Sequence, residues 1–96
     1  MAIQSFVSPI VADFFYDGKF PRRAGWAAVA SLVRRKVDVV HYANELADLR
    51  APPGNRLEAL HGNLKGFYSI RVNDQWRIVF KWGPLRPESI SVVDYH

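Results

Sequence analysis

With 96 residues, 49% of them apolar, the sequence has material for one small domain with one core and too little for a second. Cysteine is absent, which excludes disulfides and thiolate chemistry, and neither a signal peptide nor an apolar run of about twenty residues is present, so the expected compartment is the cytoplasm. Thirteen Lys or Arg against nine Asp or Glu give a formal net charge of +4, a balance that draws phosphate polyanions or an acidic partner without deciding between them.

In chain order, Ala2 to Phe6 reads as a short strand. Ser8 and Pro9 then supply a cap and a first helical residue. Ile10, Val11, Phe14 and Phe15 form an apolar stripe that Gly18 ends. The basic connector Phe20-Pro21-Arg22-Arg23 leads to a longer helix expected from about Ala24 to Ala43. There Trp26, Val29, Ala30, Val33, Val37 and Val40 recur at intervals of three and four, leaving Ser31, Arg34, Arg35 and Asp38 to water. Ala51-Pro52-Pro53-Gly54-Asn55 breaks that pattern, and from Arg56 onward the period falls to two. No repeat or low-complexity tract interrupts the chain, which reads as one strand, two helices and a four-stranded antiparallel run: an α+β fold.

Polarity sets the register of the central hairpin. If Val72 paired with Gln75, Ile70 would share a face with Arg77, and both faces would mix charge with core. Pairing Val72 with Trp76 instead puts Tyr68, Ile70, Val72, Trp76, Ile78, Phe80 and Trp82 on one apolar face, with Ser69, Arg71, Arg77 and Lys81 on the other and Asn73-Asp74-Gln75 as the loop. In the last strand, parity groups Ile90, Val92, Asp94 and His96 on one side and Ser91, Val93 and Tyr95 on the other, unless a bulge re-aims one of them. A face of clustered Arg and Lys beside Tyr and His suits single-stranded RNA. It equally suits an ordinary solvated strand surface. Glu58, His61, Lys65 and His96, taken singly, also read as surface or turn residues, and Trp76 and Trp82 as core.

Taken together, Pro52-Pro53-Gly54-Asn55-Arg56-Leu57-Glu58-Ala59-Leu60, Gly62-Asn63, Ser69-Ile70-Arg71-Val72-Asn73-Asp74-Gln75-Trp76-Arg77-Ile78 and Asp94-Tyr95-His96 resemble the HigB (plasmid maintenance killer) branch of the RelE toxins. The resemblance implies a RelE-like microbial RNase fold, with an N-terminal strand and two helices packed on an antiparallel sheet (β-α-α-β-β-β), as one toxin domain over residues 1–96. It implies a type II toxin: a ribosome-dependent mRNA endoribonuclease, or mRNA interferase, that inhibits translation and growth. The implied partners are the ribosome, mRNA and a HigA-like helix-turn-helix antitoxin, with operator DNA reached only through the antitoxin complex and no membrane involved. Some HigB members have a His where Glu58 stands and a Lys where His61 stands, so a His-based scheme does not transfer to those positions. The related YoeB toxins place a Glu, an Arg and a near-terminal His in the order of Glu58, Arg77 and His96, with a tyrosine after the histidine that this sequence lacks.

On that resemblance, Glu58 is the expected base, Arg77 the phosphate clamp and His96 the acid, because RNA carries its own 2′-hydroxyl nucleophile and imidazole titrates near neutrality. Lys65, Arg71 and Lys81 are assigned to phosphate, Tyr95 to base stacking or orientation, Asp94 to orienting His or Arg groups, and His61 to an accessory contact. No cofactor is expected, and the three His and scattered acids lack metal-ligand spacing. The alternative is a non-catalytic RNA- or protein-binding module of the same fold. It differs in predicting that Glu58→Ala and His96→Ala change nothing while charge reversals abolish binding.

Overall fold

The computed structural model describes residues 3–84 and 87–94. Ala2, Tyr95 and His96, named above, lie outside the described residues. The first helix, α1 (Pro9–Asp17), starts and stops where the sequence punctuates it. Ser8 is extended, Pro9 occupies the first turn, and Gly18 takes φ 68°, a left-handed stop that costs glycine nothing. Its N–H donates to the Phe14 carbonyl at 3.1 Å. Val11 and Phe15 are buried and Phe14 packs against the core, whereas Ile10, also placed on the stripe, is exposed.

The second helix, α2 (Ala30–Tyr42), is shorter than the spacing predicts. Residues 24–29 are turns and a 3-10 segment, Ala27–Val29, instead of helix. The cause is tertiary. A Cβ on Gly25 would stand 2.9 Å from Cη2 of Trp76, so the chain here lies flat on that indole rather than winding along the helix axis. Burial still follows the expected spacing, with Trp26, Ala30, Val33, Val37 and Val40 all buried.

A four-stranded antiparallel sheet runs in the order β1 (Glu58–Ala59), β2 (Phe67–Arg71), β3 (Trp76–Trp82) and β4 (Pro87–Asp94). Its hairpin adopts the register that polarity favours. The Val72 N–H donates to the Trp76 carbonyl at 2.9 Å, and Arg71 stands opposite Arg77. The Asn73 side chain accepts from the N–H groups of Gln75 (2.9 Å) and Trp76 (2.8 Å), an Asx-type closure of the loop. Ile70, Val72, Ile78, Phe80 and Ile90 meet Val11, Phe15, Val33, Val37 and Val40 in one core.

Two expectations need correction. Of the strand expected over Ala2–Phe6, the described residues, from Ile3 on, form a single parallel bridge, Phe6 to Ile90. The segment does run beside β4, with the Gln4 N–H donating to Pro87 O and the Val7 N–H to Ile90 O, both at 2.8 Å. A regular ladder fails because β4 is irregular there. Its register slips between Val79 and Lys81, and Ser89 takes φ 55° with its N–H donating to Ser5 Oγ at 2.9 Å, the features of a bulge. The second correction concerns the sheet's other face, expected to be basic. Ser69, Arg77 and Val79 are buried there, so cations alternate with apolar floor. Among the described residues, no helix is long and apolar enough to cross a membrane.

Candidate active site

Arg77 organises the site. β3 aims it away from the helices, yet it is only 4% exposed, with the carbonyl of Arg56 against its guanidinium. Its Nε donates to Ser69 Oγ at 2.8 Å, and its Nη2 donates to the Arg56 carbonyl at 2.6 Å and the Ser69 carbonyl at 3.4 Å. Buried charge is costly unless its donors are satisfied. Here a hydroxyl and two carbonyls do so, and among the described residues no buried side-chain polar atom lacks a hydrogen-bond partner. Arg77, expected on an open basic face, is therefore a cation fixed in a wall.

Glu58 reaches this guanidinium from β1. Facing Ser69 across the β1–β2 pairing, it brings Oε1 to 3.7 Å from Arg77 Nη2 while its side chain stays 45% exposed. A half-exposed ion pair adds little stability, so the pairing is informative as geometry. Arg71, directly opposite Arg77, would repel it on a bare strand face. Asp74 pairs with Arg71, as Glu58 does with Arg77, which offsets that repulsion. Arg56, Glu58, Arg71, Asn73, Asp74 and Arg77 together line a pocket of about 170 Å³.

The remaining expected residues distribute unevenly. Lys81 is exposed opposite Phe67 and Glu88, four residues along β3 from Arg77 and so about 13 Å away at the usual strand rise. Lys65 and His61 are exposed on either side of the 3-10 turn Gly62–Leu64, near that same far end. None of the three lines the Glu58–Arg77 pocket. Asp94 stands opposite Trp76 and accepts from Gln75 Nε2 at 3.1 Å. Between the two ends lies an apolar trough of about 590 Å³ whose lining includes Leu60, Leu64, Phe67, Val79 and Val93.

Several contributors carry little sequence signal. Ser69 was legible by parity alone, as a small residue on the Arg77 face. Arg56 sits inside the Pro-Pro-Gly-Asn-Arg run, but its role comes from its left-handed backbone, φ 46° and ψ 56°, which turns its carbonyl toward Arg77. Asn55 is fully buried; its Nδ2 donates to the carbonyls of Leu49 (3.2 Å) and Ala51 (3.1 Å), and its Oδ1 accepts from Lys36 Nζ at 2.7 Å. Burial first, then the Arg35 and Arg71 charges, hold the Lys36 ammonium below the usual lysine range.

Comparison with known proteins places the chain in a family. Toxin HigB-1 of Vibrio cholerae serotype O1 (strain ATCC 39315 / El Tor Inaba N16961) is 44% identical over 68 residues, which cover 71% of this chain and 72% of that protein. Among solved structures, a YoeB/ParE toxin from Agrobacterium tumefaciens aligns over 100% of both chains with a TM-score of 0.58 at 17% identity. The YoeB-YefM complex from Staphylococcus aureus aligns over 100% of this chain and 99% of that one, with a TM-score of 0.55 at 21% identity. At such identities these two share the fold. Residues 4–96 match the family of the RelE-like toxin of type II toxin-antitoxin system HigB, and with the Vibrio relative this shows that the chain belongs to the HigB-like toxins of the RelE superfamily.

Proposed function

We propose that this toxin, acting as one domain over residues 1–96, is a metal-independent endoribonuclease that cuts mRNA on translating ribosomes in the cytoplasm. The observation that carries the reading is the Glu58 carboxylate 3.7 Å from the anchored Arg77 guanidinium, in a pocket that Arg56 and Arg71 also line. A carboxylate beside a fixed cation is what transesterification of RNA needs. Glu58 takes the proton of the 2′-hydroxyl, whose oxygen forms a bond to phosphorus as the bond to the 5′-oxygen breaks. Arg77 and Arg71 offset the charge that builds on the phosphorane oxygens. His96 gives its proton to the departing 5′-oxygen, leaving a 2′,3′-cyclic phosphate and a 5′-hydroxyl.

The rest of the open face suits a strand of RNA. Lys65, Lys81 and His61 meet phosphates farther along, the apolar trough receives bases, and Asp94 and Tyr95 orient groups at the site. The partner that restrains this activity is a HigA-like helix-turn-helix antitoxin encoded beside the toxin, and only their complex meets operator DNA. The non-catalytic alternative has less support, since it leaves the half-exposed Glu58 carboxylate with only the offsetting of strand-face repulsion to do.

Mapping RNA 5′ ends after brief induction tests the reading. New ends within translated codons, 5′-hydroxyl termini, persistence in chelator and their loss in Glu58→Ala and His96→Ala are expected. Cuts scattered through untranslated RNA, 5′-phosphate ends, or unchanged cutting in both variants would overturn it.

A further inference from the structure

We infer that Lys36 and Asn55, neither of which lines the pocket, are positioning residues for the cleavage step, holding Arg77 in place through the backbone of Arg56. The inference rests on the nuclease reading above and adds the device that sets its geometry. It starts from a question of support. Beside its bonds to Ser69 on β2, the Arg77 guanidinium is held at 2.6 Å by the Arg56 carbonyl, and Arg56 belongs to no regular element: it follows the 3-10 turn Pro53–Asn55 in a left-handed conformation. A non-glycine residue in that region is kept there by its surroundings.

Asn55 is that surrounding. Fully buried, it ties the Leu49 and Ala51 carbonyls to its amide nitrogen, so the ends of the loop before Arg56 are drawn onto one side chain. Its amide oxygen is then fixed from outside the loop by Lys36 Nζ at 2.7 Å, on α2, whose Val33, Val37 and Val40 are buried in the core. The connection therefore runs from the packed helix through Lys36, Asn55 and the Arg56 carbonyl to the guanidinium. A cation on α2 is an odd choice for this purpose, because burial and the Arg35 and Arg71 charges all disfavour it. Its presence there makes sense if a strong, charge-assisted bond to Asn55 is what the loop needs.

Misplacing a reacting group by about 1 Å costs roughly a hundredfold in rate, so loosening this support should appear in the chemical step. The test is single-turnover cleavage on programmed ribosomes with Lys36→Met, Lys36→Gln, Lys36→Arg, Arg77→Lys and the Lys36→Met/Arg77→Lys double variant, beside melting temperatures and the Arg77 Nε–H resonance. We expect Lys36→Met and Lys36→Gln to lower the saturating rate about ten- to a hundredfold at unchanged half-saturation, with the Arg77 resonance broadened or exchanging faster. Lys36→Arg should recover most of the rate, and Lys36→Met should cost little more once Arg77 is already Lys. Wild-type rates in both neutral variants would overturn the inference. So would a loss confined to half-saturation, which would make Lys36 an RNA contact, or losses that multiply fully with Arg77→Lys. A change in melting temperature with an unaltered Arg77 resonance would reduce the pair to a structural role. An inactive wild type would sink the nuclease reading instead, and the resonance would still report whether Lys36 governs Arg77.

Discussion

The two ends of the open sheet face carry the same kind of side chain in opposite states. At one end Arg77 is 4% exposed and bonded to Ser69 and the Arg56 carbonyl. At the other, Lys81 and Lys65 stand exposed beside the turn at Gly62–Leu64. Strand parity treats Arg77 and Lys81 alike, since both point away from the helices. What separates them among the described residues is the Arg56 carbonyl bonded to Arg77, with Lys81 left exposed. A buried, hydrogen-bonded cation has a fixed position and suits a developing charge, whereas exposed lysines act as point charges that track a polyanion.

The largest effects should come from the covered end. Glu58→Gln should lower single-turnover cleavage about a hundred- to ten-thousandfold, the usual cost of a lost base, with unfolding in urea unchanged because the carboxylate is half-exposed. Arg77→Ala should lose cleavage on a similar scale and also destabilise the fold by about 1–3 kcal/mol, because the Arg56 and Ser69 groups would lose their buried donor. An Arg77→Ala variant as stable as the wild type would contradict the anchored guanidinium and return Arg77 to the exposed class.

At the open end the effects should be smaller and of another kind. Lys65→Ala and Lys81→Ala should each weaken RNA binding and reduce the slope of log affinity against log salt by about 0.7, the value for one phosphate contact on a single strand. Saturating cleavage rate and melting temperature should barely move. A loss of saturating rate matching that of Glu58→Gln would erase the distinction between the two ends.

This contrast also marks how far the sequence could be read. The hairpin register was legible because only one pairing separates Arg71 and Arg77 from Ile70 and Ile78, and α1 because Ser8-Pro9 and Gly18 bracket its apolar stripe. The start of α2 was not, since Gly25 matters only once Trp76 lies against it. The N-terminal strand failed for a related reason: the irregularity at Ser89 belongs to β4 and has no mark in residues 2–6. In the site, motif and parity pointed to Glu58 and Arg77, which the fold brings within 3.7 Å. The burial of Arg77 was hidden because it depends on a backbone carbonyl, and any residue type supplies one. Asn55 read as part of a chain break, whereas its bonds to Leu49, Ala51 and Lys36 make it the centre of the loop that covers Arg77.

The smallest predicted effect concerns Lys36, which lies behind the covered end and helps to close it. Its ammonium is held below the ordinary lysine value of 10.5, by burial first and then by the Arg35 and Arg71 charges. The folded chain therefore releases this proton at a lower pH than the unfolded chain does. Between the lowered value and 10.5 the unfolded state binds more protons, so this group makes stability rise with pH across that window and level off above it. Below that window the group is charged in both states and its electrostatic cost is fully present. Unfolding free energies of wild type and Lys36→Met, measured at steps from about pH 7 to about pH 10.5, cancel the other titrating groups on subtraction. The difference should move in favour of the wild type as pH rises. A flat difference would mean that the ammonium is as well solvated in the folded chain as in the unfolded one, and the covered end would then be less closed than its hydrogen bonds indicate.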